Sequence, residues 1–311
     1  MRMLPRSRRI VPGILAALLA GIGWSGTAAR PVPDFSHIFV IVAENKEFEE
    51  VIGNEKMPNF NRWAKQYALL TRYFAVTHPS LPNYLAMIGG DFFGIRSDCT
   101  DCYVRAPSLP DLIEAGGRSW KTYQEGLPEP GFTGPRSGRY AQKHNPFVYF
   151  DSIRLDPERC RRGVVPLDRL AEDLAQGRLP DFAFIMPDLC NSAHDCGLEV
   201  TDAWLGRLVN FILGSSGFDG SSLIVLTFDE GATNRSCCGS PPLASGGRIA
   251  TILISPLVKP GFQDETPYTH YSLLKTIAAS WGMRELGHAA DPAVSLISLP
   301  FLASESSLGV K

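Results

Sequence analysis

The sequence predicts an α/β domain built around a mainly parallel β-sheet. Four short apolar runs are bounded by turn-forming residues, as is typical of strands. Each run is apolar throughout rather than alternating, which indicates a sheet covered on both faces. Helical patterns separate the runs, and strands that alternate with helices favour parallel pairing. The predicted strands are Ile38–Ala43, Phe182–Met186, Ser222–Phe228 and Ile249–Ile254, and the predicted helices are Pro58–Tyr73, Leu109–Ala115, Asp202–Leu213 and Tyr271–Trp281.

Residues 1–29 have the order of a secretory signal peptide. Arginines up to Arg9 precede an apolar run over residues 10–22, and the small residues Thr27, Ala28 and Ala29 follow. A charged, then apolar, then small-residue order is that of an export signal. The apolar run is short and broken by glycine, which favours a cleaved leader over the alternative of an uncleaved anchor. We therefore expect a periplasmic or secreted protein without a stable membrane anchor.

The chain after the leader, residues 30–311, has a length that suits one α/β domain. It contains 26 basic and 32 acidic residues, because the leader removes four arginines and no acids, so its net charge is −6. A mildly acidic protein has no broad attraction for a polyanion. Nucleic acid is therefore not an expected partner.

A turn that leads into a short apolar helix begins at Thr77. Pro79 blocks any preceding helix, Ser80 is a good N-cap, and Pro82 is tolerated in a first helical turn. The positive end of a helix is a binding site for phosphate. It also lowers the free energy needed to deprotonate a serine hydroxyl. Ser80 is therefore the candidate nucleophile, with a purely capping role as the alternative. Thr77 is the rival hydroxyl, but it precedes the helix by several residues.

Polar side chains follow three of the predicted strands. The first strand is followed by Glu44 and Asn45, the Ser222–Phe228 strand by Asp229 and Glu230, and the Phe182–Met186 strand by residues 187–195. Parallel strands deliver their carboxyl ends to one edge of a sheet. Oxygen ligands and imidazole suit a divalent cation, and crowded acids would repel each other without one. The pattern predicts a metal site at this edge.

The seven cysteines all lie in the mature part of the chain. An oxidising compartment makes disulfides the expected state. Cys99 and Cys102, and likewise Cys190 and Cys196, are close enough in sequence to close small loops. A zinc or redox role for Cys99 and Cys102 is the alternative, but no second Cys-x-x-Cys completes a four-thiolate site. The odd number leaves at least one thiol free or paired to another chain.

Five sequence blocks together resemble a known family. They are Val42-Ala43-Glu44-Asn45-Lys46-Glu47-Phe48, His78-Pro79-Ser80-Leu81-Pro82-Asn83-Tyr84, His144-Asn145-Pro146-Phe147, Cys190-Asn191-Ser192-Ala193-His194-Asp195-Cys196 and Phe228-Asp229-Glu230-Gly231. In this order they are similar to the phosphoesterase family of bacterial and fungal acid phosphatases and bacterial phospholipases C. The resemblance covers nearly all of residues 35–285 and implies a three-layer α/β/α sandwich like that of alkaline phosphatase.

The resemblance also implies roles for individual residues. The metal ligands it implies are Glu44, Asn45, Ser80, Asp229 and Glu230. Ser80 is also the nucleophile it implies, with His194 and His270 as further catalytic residues. The substrate contacts it implies are Asn83, His144 and Lys143. Many relatives have Asp at the position of Ser192, so one divalent ion is expected and a second stays open.

Together with the leader pattern, the resemblance implies an exported, metal-dependent acid phosphatase acting on small phosphate monoesters through a phosphoserine intermediate. Two alternatives stay open at this stage. A phosphodiesterase or phospholipase C would use the same nucleophile with a roomier pocket. A non-catalytic exported binding protein would keep the fold without turnover, although the presence of Ser80 beside the four predicted ligands argues against it.

Overall fold

A computed structural model describes Met1 and residues 30–238 and 245–302 of the chain. The predicted signal peptide lies outside these residues and stays a prediction, as does a single domain over residues 30–311. Among the described residues, no helix combines the length and the apolar character needed to cross a membrane.

Within the described residues, the fold consists of eleven strands and nine α-helices. The strands are β1 (Ile38–Ala43), β2 (Ala68–Phe74), β3 (Trp120–Gln124), β4 (Arg136–Ser137), β5 (Tyr140–Ala141), β6 (Val164–Pro166), β7 (Phe182–Met186), β8 (Leu223–Phe228), β9 (Arg248–Ile254), β10 (Gln263–Asp264) and β11 (Tyr268–Thr269). The helices are α1 (Phe48–Val51), α2 (Pro58–Gln66), α3 (Ser80–Gly89), α4 (Leu109–Ala115), α5 (Asp151–Arg154), α6 (Pro157–Gly163), α7 (Arg169–Ala175), α8 (Leu198–Leu213) and α9 (His270–Ser280).

The central sheet has the strand order β10-β2-β9-β8-β1-β7-β3-β6, and β11 pairs with β2. All pairings are parallel except those of β9, which runs antiparallel to both β2 and β8. Every residue of β1, β7 and β8 is buried, so both faces of the sheet are covered. The prediction of an α/β fold with a mainly parallel sheet is confirmed.

The predicted helix over Pro58–Tyr73 is wrong in its second half. Helix α2 ends at Gln66, and residues 68–74 form β2 instead. Tyr67 already has extended backbone angles, and β2 then pairs with β9 from Ala68 to Phe74. Ladder hydrogen bonds and the burial of β2 outweigh the helical spacing of its apolar residues.

The prediction that Ser80 is an N-cap is also wrong, by one residue. Pro79 is the N-cap, and Ser80 is the first residue of α3. The helix otherwise follows the prediction, because it is buried along its whole length and ends at Gly89. Gly90 caps it in a left-handed conformation with a φ of 77°. As a helical residue, Ser80 points its hydroxyl into the site instead of at the backbone of its own helix.

Candidate active site

Three neighbouring strand ends form one edge of the site. Strand β1 pairs in parallel with β8 on one side and with β7 on the other. The backbone continues this contact beyond the strands, since Glu44 N donates to Ser192 O and Asp229 N donates to Ala43 O. The prediction that the segments after these strands meet at one edge is confirmed.

The hydroxyl of Ser80 faces the carboxylates of two strand ends. Ser80 Oγ lies 3.4 Å from Glu44 Oε2 and 3.4 Å from Glu230 Oε1. All three residues are buried, with Ser80 only 2% exposed. The rival hydroxyl, that of Thr77, instead donates to the backbone oxygen of His78.

Two buried oxygen atoms in the site indicate whether a cation fits there. Asp229 Oδ1 accepts hydrogen bonds from the backbone N–H groups of Asn45 and Glu230. Its other oxygen, Oδ2, and Asn45 Oδ1 are buried with no hydrogen-bond partner in the described part of the chain. Unpaired buried oxygens are costly, and these two belong to predicted metal ligands. The donor set therefore fits a divalent cation.

The electrostatics of the acidic cluster agree with this fit. Burial raises the pKa of Glu44 well above its usual range, and the neighbouring charge of Asp229 adds to the rise. The pKa of Asp229 is also raised, by burial first and then by the charge of Glu230. A bound cation reverses such shifts, because it favours the ionised carboxylates.

Glu44 also contacts an aromatic hydroxyl and a histidine. Tyr84 Oη donates a hydrogen bond to Glu44 Oε1. His144 Nε2 lies 3.3 Å from Glu44 Oε2 but without hydrogen-bond geometry, so it has no hydrogen-bond partner among the described residues. Burial lowers the pKa of His144 well below its usual range, and the charge of Lys143 lowers it further. His144 is therefore neutral at neutral pH.

The structure brings a second group of side chains that could hold a metal ion together around the same carboxylate. One ligand atom each from Glu44, His144 and His194 lies within 4.8 Å of the other two. Ser192 is buried and donates through Oγ to the backbone oxygen of Leu189. The two histidines, rather than this serine, are thus the side chains available for a second ion.

His194 lies at the solvent side of the site. Its Nδ1 is 2.7 Å from Asp195 Oδ1, its Nε2 is 3.4 Å from Lys143 Nζ, and its side chain is 28% exposed. The disulfide between Cys190 and Cys196 closes the loop that carries it. The predicted pairing of these two cysteines is confirmed.

The remaining cysteines follow the expectation in part. Cys99 and Cys102 are paired as predicted, and Cys160 is the free thiol expected from the odd number. The pairing of Cys237 with Cys238 was not predicted.

Two predicted site residues use most of their polar atoms on the scaffold. His270 Nε2 lies 2.6 Å from the backbone oxygen of Asp229, and its Nδ1 lies 3.3 Å from Tyr73 Oη. Burial lowers the pKa of His270 to about 4. The carboxamide of Asn83 accepts from the backbone N–H groups of Val76 and Thr77. It donates to the backbone oxygen of Thr77 at 2.8 Å and to Glu230 Oε2 at 3.4 Å.

Sequence reasoning missed two residues of the site. His78 Nδ1 lies 2.7 Å from Glu230 Oε2, and its Nε2 lies 3.0 Å from the backbone oxygen of Thr233. The hydrogen bond with Glu230 is the main cause of the raised pKa of His78. Tyr84 was missed although it follows Ser80 by four residues, a spacing that puts two side chains on the same face of a helix.

A cavity of about 260 Å³ opens beside Lys143 and His194. Its walls come from loops and from the β4–β5 hairpin, and its polar lining residues are Asp98, Thr100, Arg136, Lys143, His194 and Asp195. A small polar ligand could therefore enter next to the histidine.

Comparison with known proteins finds a family match and several similar proteins. A model of the phosphoesterase family matches residues 54–284. An acid phosphatase of Aspergillus fumigatus is 36% identical over 262 residues, which are 81% of this chain and 56% of that protein. A phosphate-repressible acid phosphatase of Penicillium chrysogenum is 37% identical over 81% of this chain and 60% of its own length. The chain thus spans less than two thirds of these fungal relatives.

A bacterial relative matches over more of its length. The phosphatidylinositol-3-phosphatase of Mycobacterium tuberculosis is 31% identical over 285 residues, which are 91% of this chain and 89% of that protein.

Solved structures show the fold. A protein in the alkaline phosphatase superfamily from Vibrio parahaemolyticus has a TM-score of 0.57 at 12% identity, over 85% of this chain and 72% of that one. The phosphonate monoester hydrolase of Silicibacter pomeroyi has a TM-score of 0.54 at 13% identity, over 87% and 78%. The predicted alkaline phosphatase-like fold is confirmed.

Proposed function

Because the chain belongs to the phosphoesterase family, we propose that it is a metal-dependent acid phosphatase that hydrolyses phosphate monoesters through Ser80. The relatives named acid phosphatase support this activity. The observation that carries the proposal is the position of the Ser80 hydroxyl, 3.4 Å from the carboxylates of both Glu44 and Glu230.

In the proposed reaction, Ser80 Oγ attacks the phosphorus atom in line with the leaving alcohol. The bond from Oγ to phosphorus forms, the bond from phosphorus to the alcohol oxygen breaks, and the serine proton passes toward the adjacent carboxylates. Water then attacks the phosphorus atom and gives a proton to the histidine that protonated the alcohol. The bond from Oγ to phosphorus breaks, Ser80 recovers its proton from the carboxylates, and inorganic phosphate leaves. Two displacements give net retention at phosphorus.

We assign the proton of the leaving alcohol to His194. Asp195 Oδ1 lies 2.7 Å from Nδ1, which orients the ring, while Nε2 lies beside the cavity, 3.4 Å from Lys143 Nζ. His194 is also the partly exposed histidine beside the cavity, where an alcohol can leave. A histidine in this place is a suitable general acid.

His270 and Asn83 have positioning roles in this proposal. Both ring nitrogens of His270 have partners on the scaffold, one of them the backbone oxygen of Asp229. The Asn83 side chain bonds the backbone of the turn before Ser80. His270 thus supports the backbone that carries the Asp229 carboxylate, and Asn83 supports the turn before the nucleophile and contacts Glu230.

The residues that would hold the divalent ion are Glu44, Asn45, Ser80, Asp229 and Glu230. The unpartnered oxygens of Asn45 and Asp229 support this set. When bound, the ion would supply a Lewis acid for a phosphoryl oxygen and lower the pKa of the serine hydroxyl.

Ser80→Ala tests the proposed nucleophile, with Thr77→Ala as the matched control. Ser80→Ala should fold and bind metal, while its turnover of a monoester falls at least about 10³-fold, as when a catalytic group that acts in a unit is removed. Thr77→Ala should keep most of its activity. Phosphate trapped during turnover should lie on the peptide that contains Ser80. Normal turnover by Ser80→Ala would refute the mechanism.

A substrate panel separates the alternatives. It includes a small monoester, a diester and phosphatidylinositol 3-phosphate, the last because of the name of the Mycobacterium tuberculosis relative. Faster turnover of the diester would favour a phosphodiesterase or phospholipase C. No turnover of any ester by metal-loaded protein would favour the binding protein.

Export is part of the proposal. The leader pattern of residues 1–29 and the three disulfides support an oxidising compartment outside the cytoplasm. The mature protein is then expected to begin at or near Arg30. Amino-terminal sequencing of exported protein tests this, and a start at Met1 would contradict it.

A further inference from the structure

A carboxylate from a neighbouring loop lies against the start of α3. Asp98 Oδ1 accepts a hydrogen bond of 3.0 Å from the backbone N–H of Leu81, the residue after Ser80. Asp98 Oδ2 accepts one of 2.8 Å from Lys143 Nζ. One side chain thus occupies two donors on different sides of the candidate active site.

Both donors are groups that an anionic substrate would use. The first backbone amides of a helix favour anions, and a phosphorus atom attacked by Ser80 has to lie within about 3–3.5 Å of Oγ. Lys143 Nζ is 3.4 Å from His194 Nε2, at the side where the alcohol would leave. A phosphoryl group between Ser80 and His194 would therefore have oxygens near the donors that bind Asp98.

The loop that carries Asp98 is anchored to the rest of the fold. Cys99 is bonded to Cys102, and Tyr149 Oη donates a 2.9 Å hydrogen bond to the backbone oxygen of Cys99. The Asp98 side chain is 27% exposed and lines the cavity beside Lys143 and His194. A bound phosphoryl group would meet this carboxylate as a fixed neighbour.

We propose that Asp98 is a specificity-determining residue, an internal anion that competes with the phosphoryl group of the substrate for the Leu81 amide and the Lys143 ammonium group. The inference rests on the proposed function. A monoester carries up to two negative charges on its phosphoryl group and a diester carries one, so repulsion by Asp98 penalises the monoester more. Asp98 also weakens binding of the product phosphate and so favours its release.

Asp98→Asn tests the proposal because it removes the charge and keeps the size and an acceptor oxygen. Calorimetric titration of metal-loaded protein with inorganic phosphate should give roughly tenfold tighter binding in the variant. Its KM for 4-nitrophenyl phosphate should fall by a larger factor than its KM for bis(4-nitrophenyl) phosphate. Asp101→Asn makes the same change at an exposed position three residues away, inside the loop closed by Cys99 and Cys102, and should match the wild type.

Unchanged or weaker phosphate binding by folded Asp98→Asn would overturn the proposal. If that variant does not fold, a crystal structure of the wild type with inorganic phosphate decides. The proposal requires a phosphate oxygen on the Leu81 amide in place of Asp98, and a carboxylate that keeps both donors overturns it. Phosphate binding needs no turnover, so tighter binding without hydrolysis of any ester would contradict the proposed function and still support Asp98.

Discussion

At the scale of single residues, the carboxylate of Glu44 connects the predicted nucleophile to the rest of the site. Tyr84 donates to one of its oxygens, while Ser80 Oγ and His144 Nε2 lie near the other. All of these side chains are buried. In such a place the orientation of a ligand depends on its hydrogen-bond partners, because water cannot replace them.

Tyr84→Phe should therefore weaken metal binding about tenfold, the lower end of the range for partners that orient a metal ligand. The change removes one hydroxyl and leaves Glu44 Oε1 without that donor. Calorimetric titration of metal-free protein with the divalent cation measures the effect. Tyr271→Phe is the matched control, because its hydroxyl is buried and has no hydrogen-bond partner among the described residues. Equal metal affinity of Tyr84→Phe and the wild type would contradict a supporting role for Tyr84.

At the scale of elements, the loop after β7 depends on the disulfide that brackets His194. Replacing Cys190 and Cys196 together by serine should lower the free energy of unfolding by about 2 kcal/mol on the entropic model of a closed loop. It should also lower kcat, because His194 is held less firmly. Urea unfolding and monoester kinetics measure the two effects. Replacing Cys237 and Cys238 should cost less stability, since that pair encloses almost no chain. Unchanged stability and kcat after loss of Cys190–Cys196 would contradict this prediction, because the loop would then keep its conformation without the disulfide.

The turn before β8 contains an aspartate whose contribution to stability depends on pH. Asp219 Oδ1 accepts hydrogen bonds from Ser36 Oγ at 2.7 Å and from Ser221 N at 2.8 Å. Burial acts to raise the pKa of Asp219, but hydrogen bonds from Ser36, Ser221 and Ser222 outweigh it and lower the pKa to about 2. An unfolded Asp has a pKa of about 3.9, so the stabilisation is complete above that pH and is lost as the pH falls through about 2.

Asp219→Asn should therefore be less stable than the wild type at pH 7, and the difference should shrink between pH 4 and pH 2. Urea unfolding at several pH values measures it. Because Asp219 is exposed, solvent screening keeps the effect small. A difference that stays constant down to pH 3 would mean that the hydrogen bonds do not depend on the charge.

At the scale of the whole molecule, the proposed metal would join the segments after β1 and β8 to the start of α3. A ligand that binds only the folded state stabilises it, by about 3 kcal/mol at a hundred times its Kd. Chelation should therefore abolish activity and lower Tm, and the divalent cation should restore both. Asp229→Ala should fold with lower metal occupancy, as measured by elemental analysis. Full activity of metal-free protein would refute the proposed mechanism.

The sequence by itself determined the strands that carry the site and the polar residues that follow them. Continuous apolar runs specify buried strands, and parallel neighbours bring their carboxyl ends to one edge for any side chains that come next. Glu44 and Asp229 could therefore be expected to meet although they are far apart in the chain. The disulfide between Cys190 and Cys196 that closes the His194 loop was also predictable from the sequence, because the two cysteines are only six residues apart.

Tertiary structure alone decided the contacts between side chains on separate elements. A helical spacing over residues 58–73 could not show that β2 would pair with β9, because that pairing depends on a strand far along the chain. Sequence patterns treated His194 and His270 alike, whereas packing leaves His194 partly exposed beside the cavity and buries His270 behind Asp229. The contact of Asp98 with the Leu81 amide has the same origin: it depends on where a folded loop comes to lie, which no local pattern of residues encodes.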